Sequence, residues 1–259
     1  MPKLPKLQTV SVITVVYNGA ATLQQAIDSV LSQDLQDIEY IILDGGSNDG
    51  SWEIIQSYQH RLAFTESAPD KGIYHAMNKA LQHCTGEWVA ILNADDFYAH
   101  NSVLSQIQAC FNASKADAVY GDLVYVHKED TSKILRYWKS GTFKRSRFLW
   151  GWMPPHPVFF LRKSAYTQFG VFNETLKTAA DYELMLRMLY KHKLKAVWCP
   201  GVMVHMRAGG VSNAGLQNRL RANMEDRKAW TINDIRPCFF TLLLKPLRKI
   251  QQYWQRPTQ

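Results

Sequence analysis

Two adjacent carboxylates, Asp95 and Asp96, stand at the end of an apolar run, residues 88–92, with only Asn93 and Ala94 between. The run is β-branched and aromatic and reads as a buried parallel strand. In an open α/β sheet, ligands sit outside the carboxyl ends of the strands, so the pair would face a crevice rather than open solvent. Two close negative charges repel, and one pKa rises unless a cation joins them. A hard divalent ion, Mg2+ or Mn2+, takes oxygen ligands and commonly bridges a protein carboxylate to substrate phosphates. Capping of the next helix would use the same two residues, because Asp is common at strand-to-helix turns. The pair by itself leaves both uses open.

Other residues with chemical potential are spread along the chain. Asp44 closes a second apolar run, residues 38–43, ahead of a glycine-rich turn through Gly50 whose spacing is neither the dinucleotide fingerprint nor a Walker A loop. Lys71 precedes a predicted helix at 73–83, where free backbone N–H groups favour an anion, although a solvated surface lysine looks the same in sequence. Asp181 opens a helical stretch whose apolar side carries Leu184, Met185, Met188 and Leu189, and it suits either a cap or a general base. His205 and Arg207 begin a cationic segment running through Gly209, Gly210 and Ser212, a loop able to close over a diphosphate with glycines as hinges. His205 also fits a purely structural histidine.

These residues need elements to position them. Residues 9–16 read as a first strand closed by Tyr17, Asn18 and Gly19, and Leu23, Ala26, Ile27, Val30 and Leu31 recur at helical spacing behind it. A helix through Trp52, Ile54, Ile55 and Tyr58, a short strand at 62–66, the helix at 73–83, the 88–92 strand and a helix through Val103, Leu104, Ile107 and Phe111 complete a β-α rhythm. From Ala118 the rhythm changes: 118–127 and 133–138 read as a hairpin, which makes the sheet mixed. Arg145 and Arg147 alternate with Phe148, Trp150 and Trp152 before Met153, two prolines, His156 and Pro157, a stretch that excludes helix ahead of a strand at 158–161. Those aromatic residues fit core packing or stacking on sugar rings. Residues 195–198 and 202–205 read as two closing strands, and 216–230 as a charged surface helix.

The chain has 259 residues and a formal charge of +8, enough length for one large α/β domain with an appendage and a balance that favours anionic partners. No run of about twenty apolar residues occurs, and the N-terminus lacks the apolar core of a secretory signal, so a soluble chain made in the cytoplasm is expected. Cys84, Cys110, Cys199 and Cys238 are far apart and read as free thiols. The basic and aromatic residues form no nucleic-acid recognition module. After residue 238 an apolar stripe that includes Phe239, Phe240 and Leu242 runs beside Lys245, Arg248 and Lys249, a pattern suited to an anionic bilayer, to the domain's own surface or to a second subunit.

In order, the segments SVITVVYN (11–18), DGGSNDG (44–50), DKGIY (70–74), NADD (93–96) and ADYE (180–183) resemble the family 2 glycosyltransferases of GT-A fold, in particular the bacterial branch that builds surface polysaccharides and O-antigens. The similarity covers about 10–213. It implies an α/β GT-A domain over 1–215, with a Rossmann-like nucleotide-sugar half at about 9–110 continuous with a mixed-sheet acceptor half at about 111–215, and a helical, basic and aromatic tail at 216–259. It further implies that Val15, Tyr17 and Asp44 hold the nucleotide base and ribose. Asp95, with Asp96 beside it and His205 near, would hold Mg2+ or Mn2+ on the diphosphate, helped by Lys71 and Arg207. Asn93 stands where such motifs often carry a first aspartate, which leaves one negative charge fewer for the metal or the ribose contact. Asp181 matches the catalytic base.

The implied activity is inverting transfer from a nucleotide-diphosphate sugar to a glycan acceptor, polyprenyl-diphosphate-linked or free, at the cytoplasmic face of a bacterial inner membrane. Two alternatives share parts of the pattern. A sugar-phosphate nucleotidyltransferase would carry a basic, glycine-rich loop after the first strand, which Tyr17, Asn18, Gly19 and Ala20 do not form. A nucleotide-sugar-binding or membrane-associated assembly protein without turnover would keep the binding residues alone.

Overall fold

A computed structural model of the chain describes residues 6–209, 216–242, 244, 245, 248, 252 and 253, with side chains from residue 9 and, in the last helix, from residue 221. Its centre is a nine-stranded mixed sheet in the order β3-β2-β1-β4-β8-β6-β9-β5, with β7 paired to the far part of β6. The strands β1 (Lys6–Val16), β2 (Ile38–Asp44), β3 (Phe64–Ser67) and β4 (Gly86–Ile91) are mutually parallel, in the register Val16 opposite Asp44 and Asp44 opposite Ser67. Crossover helices α1 (Ala20–Leu31), α2 (Ser51–Ser57) and α3 (Ile73–His83) connect them. Parallel pairing requires such crossovers, and burial of both faces is why the inner strands β1, β2 and β4 read as largely apolar runs, whereas the edge strand β3 has no buried residue.

The two faces separate by alternation along β1. Val10, Val12 and Val16 pack with Leu23, Ile27 and Val30 of α1 and with Leu104, Ile107 and Phe111 of α4 (Val103–Ser114). Ile13 and Val15 pack on the other face with Ala76, Met77 and Ala80 of α3. The second half of the sheet is mixed, as the hairpin reading implies. Strand β6 (Ala118–Val126) pairs antiparallel with β7 (Ile134–Trp138) and with β8 (Phe159–Arg162), and parallel with β9 (Ala196–Arg207).

Several elements differ from the sequence reading. The two closing strands are one strand, β9, in which Pro200 and Gly201 interrupt the apolar pattern and the register with β6 shifts near Asp122. A two-residue strand, β5 (Phe97–Tyr98), pairs with β9, and a short helix, α5 (Lys163–Phe169), follows β8 directly. The helix at Asp181 is α6 (Ala180–Met185), continued by a π-helical turn (Leu186–Lys191). Helix α7 (Leu216–Ile232) is not only a surface helix, because Ala229 and Trp230 are fully buried and the Trp230 indole donates to the Tyr182 hydroxyl at 2.9 Å.

The described part of the segment after α7 lies against β7 and the residues around Leu149 and Trp150. The Tyr137 amide donates to the Gln252 carbonyl, Thr241 Oγ1 donates to the Leu149 carbonyl at 2.6 Å, and Trp150 packs on Phe240. The four cysteines are free thiols. Among the described residues no helix is long and apolar enough to cross a membrane.

Candidate active site

The loops at the carboxyl ends of β1 and β2 are stitched into one lip. The Asn18 amide donates to Ser47 Oγ and the Asn48 amide to Asn18 Oδ1, while Gly19 and Ala20 donate to Ser51 and Asp49. Asp44 organises the lip. Its buried carboxylate accepts from the Gly46 and Ser47 amides at 3.1 and 3.0 Å and from the Ser47 and Ser67 hydroxyls at 2.5 Å each. Three of these donors fall on Oδ2 and one on Oδ1, so a ribose or base reaching Asp44 would meet the remaining lone pair of Oδ1. Above this turn the Tyr17 ring is 68% exposed. A Cβ on Gly45 would come within 2.7 Å of Asp70 Oδ2 and 3.4 Å of the Tyr17 ring, so glycine is what lets these groups converge. Val15 is buried in the sheet, and its side chain belongs to the core. Lys71 is exposed beside Gly72, just before α3.

The acidic loop after β4 is held by β9. Asp96 is fully buried; it accepts from the Arg207 amide at 3.1 Å and from Asn93 Nδ2 at 3.1 Å. Burial, and then the charge of Asp95, pushes its carboxyl well above the ordinary carboxylate range. The Arg207 guanidinium donates to the Asp95 carbonyl and the Gln25 side chain and lies over the Phe97 ring at 5.1 Å. Arg207 therefore clamps the loop from within. The His205 ring meets Phe97 edge-on at 5.0 Å, and burial pushes its pKa down. Residues 210–215, the rest of the expected closing loop, lie outside the described residues.

Asp181 converges on this loop through a continuous path of side chains. Asn93 Nδ2 lies 3.3 Å from His156 Nε2, and His156 Nδ1 lies 3.3 Å from Asp181 Oδ2. The partners fix the tautomer: an amide must donate to Nε2, which leaves Nδ1–H to donate to the carboxylate. On the other side the Tyr74 hydroxyl donates to Asp181 Oδ1 at 3.3 Å. Burial, and then the Asp181 charge, drives the Tyr74 phenol far up, so it stays a donor.

Tyr74 reaches this position because Asn78, one turn on, exchanges hydrogen bonds with the main chain of Phe172 and bonds Glu174, and because Tyr74 stacks on Phe172 at 5.7 Å. Helix α6 is fixed behind Asp181 by the buried Glu183, which pairs with Arg187 at 2.9 Å and accepts from Asn233, just past α7, at 3.0 Å. His156 and Tyr74 are the site residues that sequence reading passed over. Tyr74 ended a quoted motif, and His156 was the one polar residue among Pro154, Pro155 and Pro157, all buried.

A family model for glycosyl transferase family 2 matches residues 11–170. The chain belongs to that family. Over 208 residues, 78% of each chain, it is 28% identical to a PGL/p-HBAD biosynthesis glycosyltransferase of Mycobacterium bovis. Its fold superposes on S. aureus TarS in complex with UDP-GlcNAc with a TM-score of 0.69 at 17% identity, covering 87% of this chain and 65% of that one. This chain thus spans just under two thirds of the TarS fragment. The mannosyltransferase PcManGT from Pyrobaculum calidifontis, solved with GDP-Man and Mn2+, superposes with a TM-score of 0.65 at 20% identity over 91% of this chain and 67% of that one. The fold is the GT-A fold of these glycosyltransferases, as the α/β reading anticipated.

In this glycosyltransferase no group of three His, Cys, Asp or Glu side chains is gathered closely enough among the described residues to hold a metal alone. Asp95, Asp96 and His205 are thus not a three-ligand cage. The donor set nevertheless suits a divalent ion that is shared with a diphosphate. The half-buried Asp95 carboxylate makes no hydrogen bond or ion pair among the described residues, and Asn93 spends its amide N–H groups on Asp96 and His156, leaving its oxygen for another partner. Hard oxygen ligands of this kind, one or two from the protein and the rest from phosphate and water, fit Mg2+ or Mn2+.

Proposed function

We propose that this family 2 glycosyltransferase transfers a sugar, with inversion, from a nucleoside-diphosphate sugar to a hydroxyl of a lipid-linked glycan in cell-surface polysaccharide synthesis. The path Asp96, Asn93, His156, Asp181 supports the reading, because it links the predicted base to the acidic loop through side-chain contacts. The solved neighbours with UDP-GlcNAc and GDP-Man support a nucleotide-sugar donor, and the +8 charge and basic tail favour an anionic acceptor surface.

Asp181 takes the proton of the acceptor hydroxyl as its oxygen bonds to the anomeric carbon, and the bond from that carbon to the nucleoside diphosphate breaks on the opposite face. His156 and Tyr74 each donate to one Asp181 oxygen, which aims the carboxylate and leaves each oxygen a second lone pair for the incoming proton. The exposed Tyr17 ring offers a stacking face for the nucleotide base, and Lys71 stands free to reach a phosphate. Mg2+ or Mn2+, held by Asp95 with Asn93 near, would supply charge stabilisation to the departing diphosphate.

The test is turnover of the purified chain on a panel of nucleotide sugars and prenyl-diphosphate-linked acceptors, with the anomeric configuration of the product read by NMR. Asp181→Asn should lower kcat by about 10²- to 10⁴-fold, the usual contribution of a general base, with the donor KM unchanged. Wild-type turnover in that variant, or a product that retains the donor's configuration, overturns the mechanism.

A further inference from the structure

A second cavity, about 240 Å³, opens between the β7 end, the segment carrying Arg147 and Trp152, and the C-terminal segment. Among the described residues its lining holds Lys139, Arg147, Lys245 and Arg248 and no carboxylate. Lys245 is neutralised by a bidentate pair with Asp226, at 2.7 Å to each oxygen. The two arginines are not. Arg147 donates only to the main-chain carbonyls of Ser140 and Thr142 and lies over Trp152 at 4.5 Å, and Arg248 donates to the Trp150 carbonyl at 2.8 Å. Among the described residues no salt bridge joins either one. Both guanidinium groups line the one cavity, and burial, followed by the charge of Arg248, pushes the Arg147 pKa down.

Like charges set together in a partly desolvated cavity cost stability unless an anion joins them, and the arginine fork matches phosphate oxygens bidentately. Beside the cavity lies an apolar ledge: Trp150, 51% exposed, packs on Phe240, and Phe239, 89% exposed, meets Phe240 edge-on. The wall formed by Trp152 and Met153 runs through two prolines to His156, three residues past Met153 and so at most about 11 Å along the chain. His156 touches Asp181. A sugar ring joined to a phosphate spans a gap of that order.

We propose that this cavity binds the phosphate or diphosphate of an amphiphilic acceptor through Arg147 and Arg248, its apolar chain crossing the Trp150, Phe240 and Phe239 ledge, so that the acceptor sugar reaches Asp181. The assignment rests on Asp181 as the base, but its test reads binding and needs no turnover. The full chain is titrated with farnesyl diphosphate, inorganic pyrophosphate and phosphatidylglycerol vesicles. Farnesyl diphosphate should bind at least about tenfold more weakly to Arg147→Gln/Arg248→Gln, the loss of one charge-assisted pair. Arg248→Gln alone, which gives up a single carbonyl contact, should show most of that loss with the melting temperature kept. Phe239→Ser should weaken farnesyl diphosphate and leave pyrophosphate unchanged.

Asp181→Asn should bind all three probes as the wild type does, so a failed base and a failed cavity give different results. Unchanged farnesyl diphosphate binding in the arginine variants overturns the proposal. Pyrophosphate binding as tight as farnesyl diphosphate would show a site for a free anion only, and complete displacement by phosphatidylglycerol vesicles a site for bulk lipid headgroups; either result overturns it.

Discussion

The half proposed to hold the donor and the cavity proposed to hold the acceptor treat their charges in opposite ways. Around β1 to β4, the carboxylates of Asp44, Asp96 and Glu39 are each tied to N–H or O–H groups of this chain. Around β7 and the C-terminal segment, Arg147 and Arg248 line one cavity, and among the described residues neither has a carboxylate partner. A region whose carboxylates are satisfied internally keeps its shape before any ligand arrives, and the Tyr17 face and Asp95 are what it leaves unspent. A half with uncompensated cations is shaped for a charge it does not contain. Asn93 sits on the seam, donating to Asp96 on one side and to His156 on the other.

After the loss of Asp181 itself, breaking that seam should give the largest effect. Asn93→Asp restores the aspartate common in such motifs but removes both donors: a carboxylate offers Asp96 a second negative charge and His156 Nε2 no hydrogen. Leaving buried groups unsatisfied costs about 1–3 kcal/mol, so kcat should fall between roughly tenfold and a hundredfold. A change confined to the donor KM would assign Asn93 to the donor half alone and make the two halves separate again.

The acceptor side has its own breaking point at Gly151. Its φ is +72°, and a Cβ there would come within 2.5 Å of the Lys245 amide nitrogen and 2.8 Å of the Thr241 carbonyl oxygen. Both are main-chain atoms, so the C-terminal segment itself must move. Gly151→Ala should destabilise the chain by about 1–3 kcal/mol and expose residues 239–253 to limited proteolysis, while nucleotide-sugar binding holds. Loss of donor binding in that variant would show that the two halves are not independent.

The sequence carried the first half of this molecule and much less of the second. Strands β1, β2 and β4 were legible because parallel strands buried on both faces are largely apolar runs, and α3 because its apolar residues keep helical spacing over Ile73–His83. β9 was legible only in part, since Pro200 and Gly201 divide a pattern that the sheet joins. β5 has two residues, too few for any periodicity. Motif order named Asp95 and Asp181; it did not name His156, which joins Asp181 to Asn93 of the acidic loop. His156 and Tyr74 meet Asp181 through contacts across long stretches of chain that no local pattern encodes. Asp44 marked a strand end in sequence, and the serines at 47 and 67 were the overlooked sign that its carboxylate would be spent on its own loop.

The smallest expected effect tests the donor half far from the crevice, at the amino ends of its strands. Glu39 on β2 accepts from Ser11 on β1, from the Thr85 amide at 2.6 Å and hydroxyl at 2.7 Å, and from the Gly86 amide at 3.3 Å. Burial pushes its pKa up, but the hydrogen bonds from Ser11, Thr85 and Gly86 together outweigh it and hold the carboxyl below its ordinary 4.5. A depressed carboxylate contributes stability that is present above the unfolded pKa and lost as pH falls through the folded one. Glu39→Gln should therefore lower stability by about 1 kcal/mol at pH 7, half-burial and solvent screening keeping the figure small. The gap between variant and wild type should close as the pH drops below 4.5. Because Glu39 joins β1, β2 and the start of β4 at the end opposite Asp44 and Asp95, kcat and donor KM should not move. A pH-independent gap in chemical denaturation would mean that the loss comes from packing rather than from the charged acceptor, and the donor half would then owe less to satisfied carboxylates than its contrast with the acceptor half implies.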